Sequence, residues 1–241
     1  MYIHILLRCK ALSGSIKQAE KDRKIQALIL TSSKPSIFSA GLELTEMHKP
    51  DMKRLIMFWS SVQDLYLDLY GSRLACIAAM QGHAPAAGCM LAMSCDYRIM
   101  AETTETHRPT IGLNESKLGI VAPPWMGQQM VDTIGRRNAE LSLALGTLYS
   151  PEEALKIGLV DLVVPQDQVE AKASEAALQW AKIPAQARVA SKRLIRKDRL
   201  DRLKASRSQD VEHFANFIIT EQVQDSLTAY LDMLAKKGKN K

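Results

Sequence analysis

Between residues 25 and 32 the run IQALILTS is almost unbroken in apolar character before the chain turns polar. A short continuous apolar run of this kind reads as a buried parallel strand rather than one with a solvated face. A second such run, ACIAAMQG, ends at Gly82, and a third, DYRIMA, begins at Asp96. Between the strands the period changes. SIKQAEKD, residues 15–22, reads as the end of an amphipathic helix, and Leu55, Phe58, Val62, Leu65 and Leu69 mark one face of a helix from about Pro50 to Tyr70. APAAGCMLAMSCD opens on Pro and small residues and stays apolar on most sides, as a helix inside a domain does. In SPEEALKIG, Ser150 is an N-cap, Pro151 takes the first helical position and Gly158 stops the helix before a fourth strand region, LVDLVVP. From about Gln166 onward the pattern is helical throughout. Strands alternating with helices up to Pro165, then helices alone, predict an α/β core with an α-helical C-terminal extension.

Composition narrows this picture. A chain of 241 residues with 46% apolar and only 5% aromatic residues has material for one large core, of helices on a sheet rather than an aromatic-rich sandwich. The net charge of +6 suits an anionic partner without choosing among nucleic acid, a membrane face or an acidic small molecule. The basic residues crowd the last quarter, in SKRLIRKDRLDRLKASR and AKKGKNK, and read as a solvated helical face. They lack interleaved aromatics, so nucleic-acid readout by stacking is unsupported. Cys9, Cys76, Cys89 and Cys95 are irregularly spaced with no CxxC pair, which predicts buried thiols in a reducing compartment and no zinc site. No apolar run reaches transmembrane length. MYIHILLRCK fits neither a signal nor a transit peptide, and the SKL at 116–118 is internal, whereas that address is read at a C-terminus.

Two segments carry candidate chemistry. FSAGLEL (38–44) and GHAPAAGCM (82–90) both follow a strand and are built from small residues. Ligands of α/β proteins bind in such loops, and unpaired N–H groups at a helix start favour negative charge. Two such donors aimed at one point make an oxyanion hole; ordinary tight turns would use the same residues. Neither segment matches a phosphate-binding loop or GxGxxG. No metal spacing or nucleophilic triad is present, and His83 reads as a loop or supporting residue rather than a base. A third segment, TIGLNESKLGI (110–120), places Glu115 among apolar and small residues with no cation before Lys117. Such an acid is either solvated in a loop or buried, with its pKa pushed toward neutrality.

Taken together, IFSAGLELTEM, GHAPAAGCMLAMSCDYRIMAE and IGLNESKLGIVAP resemble the crotonase (enoyl-CoA hydratase/isomerase) superfamily, from about Ser15 to the C-terminus. CDYRI together with GLNE…LGI is similar to its mitochondrial isomerase branch. The resemblance implies a core of repeated ββα units in a spiral and an α-helical C-terminal trimerisation region, divided here at 1–183 and 184–241. It implies an acyl-CoA thioester substrate, a homotrimer, the mitochondrial matrix rather than the peroxisome, and no metal or cofactor beyond the coenzyme A of the substrate. It places Ala40 and Ala87 as oxyanion donors, Ala40, Gly41, Leu42, Glu43, Leu44 and Ala87 along the thioester and CoA arm, and Glu115 as the catalytic acid/base. Hydratases of the family use a second glutamate where this chain has Met90, so water addition is disfavoured. The chain departs from the pattern in three places. Ala87 stands where Gly is usual, and would be strained if its φ were positive. MYIHILLRCKAL does not match the strand pair expected before the first helix, which leaves a truncated or alternative start open. About three extra residues in AETTETHRPT are expected to alter the wall of the acyl pocket.

Overall fold

The computed structural model describes residues 4–239. Helix α1 (His4–Lys21) leads to strand β1 (Ala27–Leu30), and α2 (Met52–Tyr70) to β2 (Ala75–Met80). A two-residue strand β3 (Ala84–Pro85) and helix α3 (Ala87–Ser94) follow, then β4 (Tyr97–Ala101), β5 (Ile111–Gly112), α4 (Pro124–Ile134), α5 (Arg136–Leu145), α6 (Pro151–Lys156) and β6 (Leu162–Val164). Helices α7 (Val169–Lys182), α8 (Ala185–Ile218) and α9 (Glu221–Lys239) complete the chain. Strand, short strand, helix occurs twice, as β2-β3-α3 and as β4-β5-α4. The long strands join one parallel sheet in the order β1-β2-β4-β6, and the short ones pair in a second. Single bridges from Ile37 to His83 and from Ile111 to Tyr149 extend that second sheet on both sides.

The sheet is covered on both faces, which is why its strands read as continuous apolar runs. Ile77 and Ala79 of β2, with Ile99 and Ala101 of β4, meet Val169, Ala173, Ala176 and Ala177 of α7. Cys76, Ala78, Met80 and Met100 face the larger core beneath α2 and α3. β1 departs from expectation: it is parallel, but its residues are only half-buried, because it lies at the sheet edge with β2 on one side alone.

Local signals set the helix ends. Asp51 caps α2 by accepting from the Arg54 N–H at 2.8 Å, so the helix starts two residues after Pro50. Ser150 and Glu153 form a reciprocal capping box at α6, with Pro151 in its first turn and Gly158 at φ +79° beyond its end. All four cysteines are buried free thiols.

Helix α8 bears out the solvated-face reading for Arg193, Lys197, Arg202 and Lys204, which are exposed, and corrects it for a second set of its charges. Arg188, Lys192, Arg196, Arg199 and Arg207 recur every three or four residues or two turns apart, and all reach inward. Lys192 and Arg196 grip Asp96 at 2.7 and 2.9 Å, with the Asp96 side chain only 4% exposed. Arg196 also covers the Tyr70 ring at 4.3 Å and donates to the Tyr70 carbonyl. Arg199 pairs with Asp132, Arg207 with Asp64, and Arg188 donates to the Arg73 carbonyl. A basic stripe with helical period thus ties the long helix to α2, α4 and the β4 approach.

Candidate active site

The loop 36–41 and the turn 82–88 are brought together by backbone approach that only small residues allow. Gly82 lies so close to Ser36 that a Cβ there would fall 2.1 Å from the Ser36 carbonyl carbon. The His83 carbonyl accepts from both the Phe38 and Ser39 N–H groups, and the His83 N–H donates to the Ser36 carbonyl. At Gly88 a Cβ would stand 3.0 Å from the Ser39 oxygen. Further along, a Cβ on Gly41 would lie 3.3 Å from the Ala86 Cβ and 4.0 Å from the Ala87 nitrogen. The two segments singled out in the sequence are therefore one structure.

That structure leaves two donors free. Ala87 is the first residue of α3, so its N–H precedes the intrahelical ladder, which begins with Met90 donating to Ala86. Among the described residues neither the Ala40 nor the Ala87 N–H has a hydrogen-bond partner. The positive φ that would have strained Ala87 is found one residue earlier. Ala86 sits at φ +50°, ψ −119°, and Ala87 itself is not in the positive-φ region. Ala86 is held there by its N–H donating to the Gly112 carbonyl at 2.8 Å. A conformation of this kind costs about 1–3 kcal/mol in a non-glycine residue and persists only where the surroundings enforce it.

Glu115 opens a short 3₁₀ turn, Glu115–Leu118, that Gly119 ends at φ +70°. Its side chain is buried (9% exposed), and its Oε2 has no hydrogen-bond partner. Lys117 is exposed and makes no ion pair among the described residues. Burial therefore acts almost alone and raises the carboxyl pKa to about 7. Of the two readings of this acid, the structure selects the buried one.

These parts share one cavity of about 940 Å³. Ala40, Gly41, Leu42, Glu43, Leu44, Ala87, Met90 and Glu115 all line it. Ser32, Ser33 and Lys34 also line it, and its apolar wall draws on α1, α2, α4, α8 and α9. Residues 102–110 do not line it, contrary to expectation. That segment folds away, Thr103 donating twice to Glu152 and His107 bonding the Gln81 carbonyl. His83 also stays outside the lining. Its Nδ1 accepts from the Thr110 N–H at 3.2 Å and so carries no proton, and burial, then His107, lowers its pKa. Among the described residues no cluster of His, Cys, Asp or Glu could hold a metal.

A family profile described as Enoyl-CoA hydratase/isomerase matches residues 9–239. The chain belongs to the enoyl-CoA hydratase/isomerase family. It is 48% identical over 223 residues to the rat mitochondrial enoyl-CoA delta isomerase 1, covering 92% of this chain and 76% of that one. The crystal structure of human mitochondrial delta3-delta2-enoyl-CoA isomerase superposes with a TM-score of 0.93 at 43% identity, covering 96% of this chain and 89% of that one. An enoyl-CoA hydratase from Bacillus halodurans shares the fold at a TM-score of 0.81 and 21% identity, covering 93% and 89%.

Motif reading found the two turns and the buried acid that share the cavity but not the rest of its lining. Trp59, Phe214 and Tyr230 line it from three distant helices, and no local spacing links them. The one available signal was periodicity: Trp59 lies beside Phe58 on a helix already read as amphipathic. Ala86 gave no signal, since alanine does not announce a positive φ.

Proposed function

We propose that the protein isomerises 3-enoyl-CoA, cis or trans, to trans-2-enoyl-CoA in fatty-acid β-oxidation, with Glu115 as a single proton shuttle. The carrying observation is the buried carboxylate, its Oε2 without a partner and its pKa near neutrality, in the same cavity as two free backbone N–H donors. Glu115 takes a proton from C2 of the substrate. The electron pair moves into a dienolate whose thioester oxygen receives the Ala40 and Ala87 N–H groups. The same carboxyl then returns the proton at C4, and the double bond stands between C2 and C3. A positioned general base contributes about 10²–10⁴ in rate, and one oxyanion donor about 3–4 kcal/mol. The shuttle is redox-neutral and calls on no group beyond the coenzyme A that the substrate carries.

Hydration is the competing chemistry, and Met90 argues against it. Met90 is 1% exposed and lines the cavity where a second carboxylate would have to orient water, which a thioether does not do. A binding protein without turnover is the other alternative, motivated by Ala87 in place of glycine. Ala40–Leu44 and Ala87 are assigned to the thioester and CoA arm. Residues 1–183 are assigned as the acyl-CoA-binding core and 184–241 as the helical region that joins three copies. The support for the trimer is the outward face of α8, where Leu194 and Ile195 are 82% and 78% exposed. The matrix of the mitochondrion is the assigned compartment, since the rat and human relatives are mitochondrial by name. No described helix is long and apolar enough to cross a membrane.

The deciding experiment compares turnover of a 3-enoyl-CoA by the wild-type protein and Glu115→Gln. A fall of about two orders of magnitude or more in the variant supports the shuttle. Acyl-CoA binding by both with turnover by neither would establish the binding protein instead.

A further inference from the structure

Most of the hydrocarbon wall of the cavity is adaptable: Leu12, Leu65, Met90, Met126, Leu231 and Leu234 are flexible side chains. One part is not. The Trp59 indole, from the middle of α2, lies flat on the Phe214 ring of α8, with centroids 3.6 Å apart and planes 6° from parallel. Both rings line the cavity. Behind them, outside the lining, a single carboxylate oxygen fixes the indole. Asp210 Oδ2 accepts from Trp59 Nε1 at 2.8 Å, from Gln63 Nε2 at 2.7 Å and from Trp125 Nε1 at 3.3 Å. Gln63 is held in turn by Arg207, whose Nε donates to its Oε1 at 3.2 Å. Trp125 closes the rear, 6.1 Å from Trp59 and 4.5 Å from Tyr66.

A charge-assisted hydrogen bond at the ring edge and a stack on the ring face remove the indole's freedom to swing aside. Tilting it would strand an N–H and a carboxylate oxygen in a largely buried place. An acyl chain that reaches this wall must therefore stop or bend, whereas the leucine and methionine walls can yield.

We infer that Trp59, held by Asp210 and Phe214, is the specificity-determining wall that sets how long an acyl chain the cavity accepts. Trp59 is the residue that touches the chain; Asp210 is a positioning residue that acts through it. The inference rests on the isomerase reading for its substrate class, but it concerns the tail of the acyl group and not the reacting carbons.

The test is a homologous series of 3-enoyl-CoA substrates from short to long, with kcat/KM determined for the wild-type protein and for Trp59→Leu, Phe214→Leu and Asp210→Ala. The ratio of kcat/KM for long to short chains is expected to rise about tenfold in Trp59→Leu, the discrimination that one or two methylenes command in an apolar pocket. Phe214→Leu, a half-buried position that tolerates the change if Trp59→Leu does not fold, is expected to move the ratio the same way. Asp210→Ala is expected to broaden the length profile without adding space at the wall. A purely structural role would lower the melting temperature and depress every substrate alike. An unchanged length profile in all folded variants overturns the inference. Binding of saturated acyl-CoA of the same lengths, measured in parallel, separates this from the reaction. Were the wild-type protein to isomerise nothing yet bind with a length preference that Trp59→Leu shifts, the isomerase reading would fall and the wall would stand.

Discussion

Gly41 and Ala86 meet back to back, each in the left-handed half of backbone space, at φ +94° and +50°. A Cβ on Gly41 would lie 3.3 Å from that of Ala86, so the two turns that present the Ala40 and Ala87 N–H groups are mutually seated. Gly41→Ala both strains its own backbone and pushes on this contact. It is expected to cost about 1–3 kcal/mol of stability and, if one donor is displaced, about 10²-fold in kcat, with a smaller change in KM. Thermal melts and steady-state kinetics read the two effects separately.

Glu115 gives a pH dependence with a definite sign. As a base it must be ionised, so kcat/KM is expected to rise through about pH 7 and level off above it. Stability runs the other way. The folded-state pKa is raised above the unfolded one, so the favourable contribution is fully present below the unfolded pKa. It is lost as pH rises toward the folded value of about 7. The cost of holding the carboxylate ionised is about 3 kcal/mol at pH 8. Glu115→Gln is thus expected to be inactive yet more stable than wild type at pH 8, with the difference shrinking toward pH 4. Denaturant titrations at the two pH values check it; a constant difference would place Glu115 in a solvated setting.

Asp96 anchors α8 to the sheet. Its carboxylate accepts from the Cys76 N–H, Lys192 and Arg196, and all three side chains of this cluster are at most 14% exposed. Asp96→Ala leaves two cations without their partner and is expected to cost about 3–5 kcal/mol. Replacing Asp201, paired with Lys197 on the exposed side of the same helix, is expected to change the unfolding midpoint little.

Helix α9 reaches the cavity through Tyr230, Leu231 and Leu234, and one side chain clamps it. The Gln224 amide donates to the Met47 carbonyl at 2.9 Å and accepts from the Lys49 N–H at 2.7 Å. His48 adds a bond to Thr228 at 2.9 Å. Gln224→Ala removes bonds worth about 1–2 kcal/mol in all. Hydrogen exchange in 221–239 and 47–49 is expected to accelerate about tenfold, with KM rising several-fold and the global melting temperature barely moving. Unchanged exchange in α9 would show that its apolar contacts hold it without the clamp.

Much of this protein is written locally. The continuous runs at Ile77 and Ile99 mark strands covered on both faces, because a parallel sheet with helices on each side leaves no solvated face to pattern. Ser150, Pro151 and Gly158 bound a helix through groups no more than a turn apart. FSAG, PAAG and Glu115 stood out because small residues and an isolated acid are costly unless something requires them. What the sequence could not decide were relations across the chain. The half-burial of β1 follows from its place in the strand order. Whether the arginines of α8 face water or Asp96, Asp132 and Asp64 depends on which way a long helix is turned. The strain falls on Ala86 rather than Ala87 because Gly112 supplies the acceptor for its N–H. The pKa of Glu115 is raised by surroundings drawn from residues far apart in sequence, and the stack of Trp59 on Phe214 joins positions 155 apart. Local chemistry names the candidates, but desolvation and close packing are properties of three-dimensional neighbours, and those exist only once the chain has folded.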